Sequence, residues 1–222
     1  MPKTKDSKPK RRRNPDATRE SILKAARTVL AEDGPDGLKV SRVAHLAGVN
    51  RGTAYQHFQT REDLAKATAE SVGHQLSMAL FGSDSEDIQV PPPTQQPFTQ
   101  YIERLAKFAV ENSELGRVWL FETLTAADPT EDLFFKQFKG AMAHLTESEV
   151  GQDGVDNEAL SVILLAGYFL WPVWVKSHAH DEEEKGRMAH RLAREVLRLS
   201  MYGVIKPEFY PKLVEMLEKD DW

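Results

Sequence analysis

Apolar positions recur at helical spacing through most of this 222-residue chain. Asn14-Pro15, a cap followed by proline at the first helical position, opens a stripe of Ile22, Ala25, Ala26, Val29 and Leu30 that Gly34 closes. From Lys39 to Arg61 the pattern predicts two short helices joined by a tight turn. Val43, Ala44 and Leu46 give the first its apolar face, Gly48 supplies the positive φ of the turn, and Val49 plugs it. Asn50 caps the second helix, Arg51 to Phe58. Thr60-Arg61-Glu62-Asp63 reads as a capping box opening a long helix from about Thr60 to Phe81, with Leu64, Ala67, Val72, Leu76 and Leu80 available for packing.

Gly82 to Pro97, with its triple proline, reads as a loop or linker. Helical spacing then resumes. Phe98 to Ala109 marks one helix, Leu115 to Leu124 a second stopped at Asp128-Pro129, and Thr130 opens a third carrying Leu133, Phe134, Phe138, Met142 and Leu145. Gly151 to Gly154 is a loop. Two long helices follow, about Asp156 to His178 and Asp181 to Tyr202, with Trp171-Pro172 expected to bend or break the first. Asp181 with Glu184 resembles a capping box, and a short amphipathic helix carries Leu213, Val214 and Leu217. No segment has strand period and none repeats, so the fold class is all-α.

Charge divides this helical chain. Residues 1–66 hold 15 Lys+Arg against 8 Asp+Glu, net +7; the remainder holds 14 against 26, net −12. A positive module on an acidic body suits phosphate binding. Residues 1–13 carry seven basic side chains and almost nothing apolar; a disordered arm adding phosphate or minor-groove contacts and a solubilising tail fit equally. The absence of cysteine excludes a disulfide framework and a thiolate metal site, and suits a cytoplasmic protein. No secretory h-region follows the basic start. The longest apolar run, Leu160 to Val175, is short for a membrane span and reads as a buried helix.

Arg51, Thr53, Tyr55, Gln56 and His57 are all hydrogen-bond donors, and the helix carrying them has no acid. A short donor-rich helix presented by a helix-turn-helix suits the DNA major groove. The run VSRVAHLAGVNRGTAYQHFQTREDL, preceded by EDGPDGL, resembles the DNA-binding domain of the tetracycline-repressor (TetR) family of bacterial regulators. Lys39 stands where that family usually has a Thr or Ser cap, and Arg61 where it usually has Lys. The resemblance implies that Thr53, Tyr55 and His57 hold the sugar-phosphate backbone, although packing of the small domain competes for Tyr55 and His57. Arg51 and Gln56 are the expected readers of base edges, since arginine pairs bidentately with guanine and glutamine with adenine. Gly52 lets the backbone approach DNA. Ser41 and Arg42 are expected on phosphates or bases, Arg61 on a phosphate, and Asn50 at the helix start beside them.

The resemblance also implies a small-molecule pocket among the C-terminal helices, where three of the four tryptophans lie. Trp119, Phe134, Phe138, Met142, Tyr168, Trp171 and Trp174 are its apolar candidates, with Glu122, Thr123 and His144 as polar ones. Plain core or subunit interface competes for each aromatic. His178-Ala179-His180 with the acids after it has metal-capable groups, but alternate histidines in an inter-helix loop more often stay solvated, so no metal and no cofactor is assigned. No nucleophile elbow, phosphate-binding glycine loop or His-Glu-x-x-His occurs, which argues against an enzyme.

The expected organisation is a disordered basic arm over 1–13, a three-helix DNA-binding module over 14–60, a connecting helix over 61–81 and a helical ligand-binding and dimerisation domain over 82–222. The resemblance implies a cytoplasmic homodimer, usually a repressor, whose modules bind a palindromic double-stranded operator in successive major grooves about 34 Å apart. The two long C-terminal helices would form a four-helix bundle with their symmetry mates. An apolar or amphipathic effector would favour a wrongly spaced dimer and release the DNA. An activator, a ligand-independent regulator, or a helical enzyme or carrier with an architectural helix-turn-helix are the alternatives. No membrane partner is expected.

Overall fold

The computed structural model describes residues 14–86 and 95–219. The basic arm expected over 1–13 and residues 87–94 of the proline-rich linker lie outside the described residues. The chain divides between Thr68 and Ala69 into two compact units.

The first unit contains α1 (Pro15–Gly37), α2 (Val40–Leu46), α3 (Arg51–His57) and the start of α4 (Arg61–Phe81). Asn14 caps α1 by accepting from the Asp16 N–H, and Gly34 breaks its regular course with φ 68°, as its closing role predicts. Leu38 lies beyond α1, and its N–H donates to the Pro35 carbonyl. The buried side chains include Ile22, Ala26, Leu38, Val43, Ala44, Ala54, Phe58 and Leu64. Leu46 departs from the expected apolar face: it is 55% exposed. It is the last residue of a seven-residue helix, three positions beyond Val43, where the chain already turns toward Gly48. Phe58 also departs from its expected place inside α3. Its backbone is extended, and it caps the helix while its ring enters the core.

The second unit contains the rest of α4, then α5 (Gln95–Glu111), α6 (Ser113–Thr125), α7 (Leu133–Thr146), α8 (Asn157–His178), α9 (Glu182–Gly203) and α10 (Pro211–Lys219). The expected linker is therefore shorter, since helix begins at Gln95 rather than after Pro97. Proline is tolerated there because first-turn N–H groups need no helical partner. Thr130 does not open α7. Asp128 caps a single 3₁₀ turn, Pro129–Glu131, and Asp132 caps α7 by accepting from the Phe135 N–H. Both start signals act, four residues apart.

Helix α8 packs against α5, α6, α7 and α9. Pro172 does not break it: α8 runs unbroken across the proline to His178. Nor is α8 a fully buried helix. By length and composition it could cross a membrane, yet only 33% of its most apolar window is buried. Ser161, Leu165, Tyr168, Phe169, Pro172 and Val175 face inward, while Val162, Ile163, Leu170, Val173 and Trp174 stand exposed. Asp181 caps α9 through the Glu184 N–H at 2.7 Å, but the Glu184 carboxylate answers the His180 N–H rather than that of Asp181. No strand occurs among the described residues; Gly151 and Ile205 form one isolated antiparallel bridge.

Candidate functional site

The helix-turn-helix is held by short-range bonds. The Gly48 N–H donates to the His45 carbonyl at 3.2 Å, and the Val49 N–H to that of Ala44 at 3.0 Å. Gly48 takes φ 65°, the left-handed conformation that lets the chain reverse without a Cβ clash. Asn50 Oδ1 accepts from the Thr53 N–H at 2.7 Å, fixing the start of α3. Lys39 caps α2 without a side-chain bond, consistent with its lack of a hydroxyl. At the far end, the Asp63 N–H donates to Thr60 Oγ1 at 3.0 Å and the Thr60 N–H to Asp63 Oδ2 at 3.1 Å, the reciprocal pair expected of a capping box.

Only Ala54 of α3 is fully buried. Arg51, Gly52, Tyr55 and Gln56 are exposed, while Thr53 and His57 are half-buried. Tyr55 is 48% exposed, so packing does not account for it. His57 leans on Phe58, their ring centroids 6.3 Å apart, and Arg19 lies 5.4 Å above the same Phe58 ring. Both nominated phosphate-binding arginines have acidic partners. Arg42 donates to Asp33 at 2.5 Å, and Arg61 lies 3.7 Å from Asp36. Ser41 is half-buried at the start of α2. Asp33 and Asp36 belong to the EDGPDG turn, which charge patterning alone did not mark.

The second unit gathers part of the nominated pocket. Trp119 stacks edge-on to Phe134 at 5.8 Å and to Phe169 at 5.3 Å, and Phe134 lies 6.3 Å from Phe138. The Trp119 Nε1–H donates to Asp132 Oδ1 at 3.0 Å. The carboxylate that caps α7 therefore also fixes the indole. Phe81 and Phe169, not nominated, join this cluster against Phe134. Phe169 lies over Gly116, where a Cβ would come within 2.6 Å of its ring. Met142 and Tyr168 are buried, Tyr168 fully so.

The other candidates lie elsewhere. Trp171 joins a cluster of Val110, Val175, Ala179, Met188 and Ala189 where α5, α8 and α9 meet, and its Nε1–H donates to the Met188 carbonyl at 2.9 Å. Two residues along a helix is more than half a turn, so Trp171 cannot face Phe169's neighbours. Trp174 is 55% exposed on the outer side of α8 and lines no interior in this chain. His144 is exposed, and the Thr123 hydroxyl donates to the Trp119 carbonyl. Glu122 lies at the surface, its carboxyl pushed above the usual range by partial burial and by Asp132 and Glu70. Desolvation raises the pKa of the buried Tyr168 and Tyr101 phenols.

Ser77 Oγ, Tyr101 OH and Gln137 Oε1, none of them in the nominated set, are among the buried polar atoms that have no hydrogen-bond partner among the described residues. The sequence signal available was a polar residue on an apolar stripe, such as Gln137 between Phe134 and Phe138. A separate groove of about 370 Å³ runs between α5 and α9, lined by residues including Glu103, Lys107, Lys185 and His190. It holds none of the nominated residues. Among the described residues, no group of three or more His, Asp or Glu side chains is placed to hold a metal.

Residues 22–68 match the family model described as bacterial regulatory proteins, tetR family. An HTH-type transcriptional repressor of Mycobacterium tuberculosis is 32% identical over 68 residues, 31% of this chain and 36% of the relative. The regulator TtgR of Pseudomonas putida is 33% identical over 70 residues, 32% and 33% of the two chains. The matched stretch thus spans about a third of each curated relative. Solved structures extend the likeness in fold. A gamma-butyrolactone receptor superposes with TM-score 0.59 at 18% identity, over 92% of this chain and 96% of the receptor. A complex of SmeT with triclosan gives 0.57 at 17% identity, over 87% and 94%.

Proposed function

We propose that this chain, whose residues 22–68 match the tetR family of bacterial regulatory proteins, is a homodimeric transcriptional repressor of that family that leaves its operator when a small apolar or amphipathic effector binds. The observation that carries the proposal is α3 itself: an Asn50-capped helix with Arg51, Tyr55 and Gln56 exposed, and with no carboxylate to repel DNA. Arg51 and Gln56 read base edges. Tyr55, His57 and Thr53 grip the backbone, while Ser41, Arg42 and Arg61 add phosphate contacts. Arg42 and Arg61 reach those phosphates by exchanging the Asp33 and Asp36 carboxylates for them. The DNA-binding module comprises residues 14–60, α4 connects it to the effector and dimerisation domain, and the chain acts in the cytoplasm as a regulator rather than an enzyme.

Effector binding is supported by the aromatic cluster around Trp119 and Phe134, and by a structural neighbour that is a complex with triclosan. Dimerisation is supported by α8, whose outer face is apolar along five exposed positions. A second copy would bury that face, at roughly 25 cal/mol per Å² of apolar surface. Selection of bound sequences from a random DNA pool tests the central claim. Enrichment of a palindrome with half-sites one helical turn apart is expected, and recovery of no preferred sequence refutes it.

A further inference from the structure

Two of the arginines assigned to the DNA backbone are already held by carboxylates. Arg42 Nη2 donates to Asp33 Oδ2 at 2.5 Å, and Arg61 Nη2 lies 3.7 Å from Asp36 Oδ1. Both acids come from one short turn, EDGPDG, in which Gly34 takes φ 68° and the Leu38 N–H closes on the Pro35 carbonyl at 3.2 Å. Arg42 sits near the start of α2 and Arg61 opens α4, so a single turn reaches two elements of the DNA-binding unit. Gly37 leaves room for the first pair: a Cβ there would come within 2.5 Å of Asp33 Cβ and 3.4 Å of Arg42 Nη1. All four charged side chains are at least 43% exposed. Exposed ion pairs contribute little to stability and exchange partners readily, so holding the fold together does not account for them.

The charge of the unit sharpens the point. Residues 1–13 carry seven basic side chains and one acid, whereas residues 14–66 carry eight Lys+Arg against seven Asp+Glu, a net charge of only +1. Phosphate contacts supply most of the sequence-independent affinity for DNA, so a module this close to neutral has little of it in reserve. Its acids are not placed alike. Helix α3 has none, and Asp63 is occupied in the capping box with Thr60. Asp33 and Asp36 instead engage nominated phosphate contacts.

Resting on the DNA-binding reading above, we propose that Asp33 and Asp36 set operator affinity by competing with backbone phosphate for Arg42 and Arg61. In the free protein each guanidinium holds a carboxylate; in the complex it holds a phosphate oxygen and the carboxylate returns to water. The lost pair is subtracted from the energy of each phosphate contact. Phosphate contacts carry no sequence information, and the base readers Arg51 and Gln56 keep their donors. The competition therefore lowers binding to every duplex by the same factor and leaves discrimination between sequences unchanged.

The test uses the full chain and two duplexes of equal length, the selected operator and a scrambled version of it, over a series of salt concentrations. Asp33→Asn combined with Asp36→Asn should tighten binding to both duplexes by about 3- to 10-fold at low salt, the range of two weak ion pairs. The slope of log affinity against log salt should steepen by up to about 0.9 for each pair removed. In a background carrying Arg42→Ala and Arg61→Ala the gain should fall to that of a neutralisation outside both pairs, Glu20→Gln, expected to be under about twofold. Unchanged or weaker binding by the asparagine variant overturns the inference. An equal gain in both backgrounds also overturns it, because the effect is then one of bulk charge, and so does a gain confined to the operator. Asp36 is fully exposed, so Asp36→Asn alone, expected to tighten binding by about 2- to 3-fold, keeps the test decisive even where Asp33→Asn disturbs the fold. If Arg42→Ala with Arg61→Ala leaves the affinity of the acid-bearing chain unchanged, the phosphate-contact reading itself is defeated, a result distinct from the absence of a gain in the asparagine variant.

Discussion

In the first unit the polar side chains of α3 stand in solvent around a single buried alanine, whereas in the second it is the apolar side chains of α8 that stand in solvent while Ser77 and Gln137 are buried. The partners proposed above would account for the difference. A surface that meets DNA must keep its donors hydrated and unpaired until phosphates and base edges replace water. A surface that meets a second copy of the same chain presents alkyl and indole groups, which are uncomfortable in water and gain on burial. On that reading, exposed donors on α3 and exposed apolar groups on α8 mark two different partners.

The largest expected effect falls on the small unit. Phe58 caps α3 and fills the core with Ile22, Leu38 and Val43, and few other large side chains stand in for it. Phe58→Ala should cost about 3–5 kcal/mol, enough to unfold a marginal module. Hydrogen exchange resolved by segment should show amides of residues 15–60 losing protection while those of α7 and α8 keep theirs. Equal loss in both units would mean that they fold as one cooperative body.

Next in size is the outer face of α8. Ile163 is 66% exposed, on the same side of α8 as Leu170 and Trp174. Ile163→Glu should place a charge in the proposed subunit interface and raise the dimer dissociation constant at least tenfold, about 1.4 kcal/mol. Sedimentation equilibrium measures this, with Glu158→Gln at the helix start as a control. Monomer-to-dimer behaviour unchanged by the glutamate would show that some other surface carries the dimer.

Arg51 and Tyr55 separate reading from gripping. Arg51→Ala should relax preference at one base pair by roughly 1–3 kcal/mol. Tyr55→Phe should weaken all operators alike and by less, since one neutral hydrogen bond contributes about 1 kcal/mol. Binding to a panel of single-base operator variants distinguishes the two. A uniform loss for Arg51→Ala would place it with the phosphate contacts.

The two units were also unequally legible from sequence, for a physical reason. The first is built from local signals: Asn50 bonds three residues ahead, Thr60 and Asp63 bond each other, and Gly48 turns the chain by itself. Such contacts are fixed by spacing alone. Its long-range pairs, Arg42 with Asp33 and Arg61 with Asp36, were not legible, because side-chain charges nine and twenty-five residues apart do not reveal which meets which. In the second unit, helix existence followed from periodicity, but the angle of each helix about its own axis did not. That angle separates Trp119, inside, from Trp174, outside, and Phe169 from Trp171. Composition grouped the three tryptophans Trp119, Trp171 and Trp174 together; packing divided them. Gln137 and Ser77 were invisible for the same reason, since a polar residue on an apolar stripe declares itself only when its partners, or their absence, are known.

The smallest expected effect tests the acidic side of the second unit. Glu122 has its carboxyl raised above the ordinary glutamate range by partial burial, and then by Asp132 and Glu70. A raised folded-state pKa means that the folded chain favours the protonated form more than the unfolded chain does. The contribution to stability is therefore fully present below the unfolded glutamate pKa and is lost as pH rises through the folded one. At neutral pH the ionised group repels Asp132 and Glu70 and gives nothing back. Because Glu122 lies at the surface, solvent screens most of that repulsion, so Glu122→Gln should stabilise the chain at pH 7 by no more than about 0.5 kcal/mol. The glutamine has no such titration, so the gain should shrink as pH falls through the carboxylate range and vanish below it. Urea midpoints for both proteins between pH 4 and pH 8 measure the difference. Because Asp132 also holds the Trp119 indole, tryptophan fluorescence recorded in the same titration should stay constant in the glutamine variant if that bond is unaffected. A gain that grows toward low pH would reverse the sign of the argument and show that the Glu122 carboxylate is held in the fold by an attraction rather than strained by its neighbours.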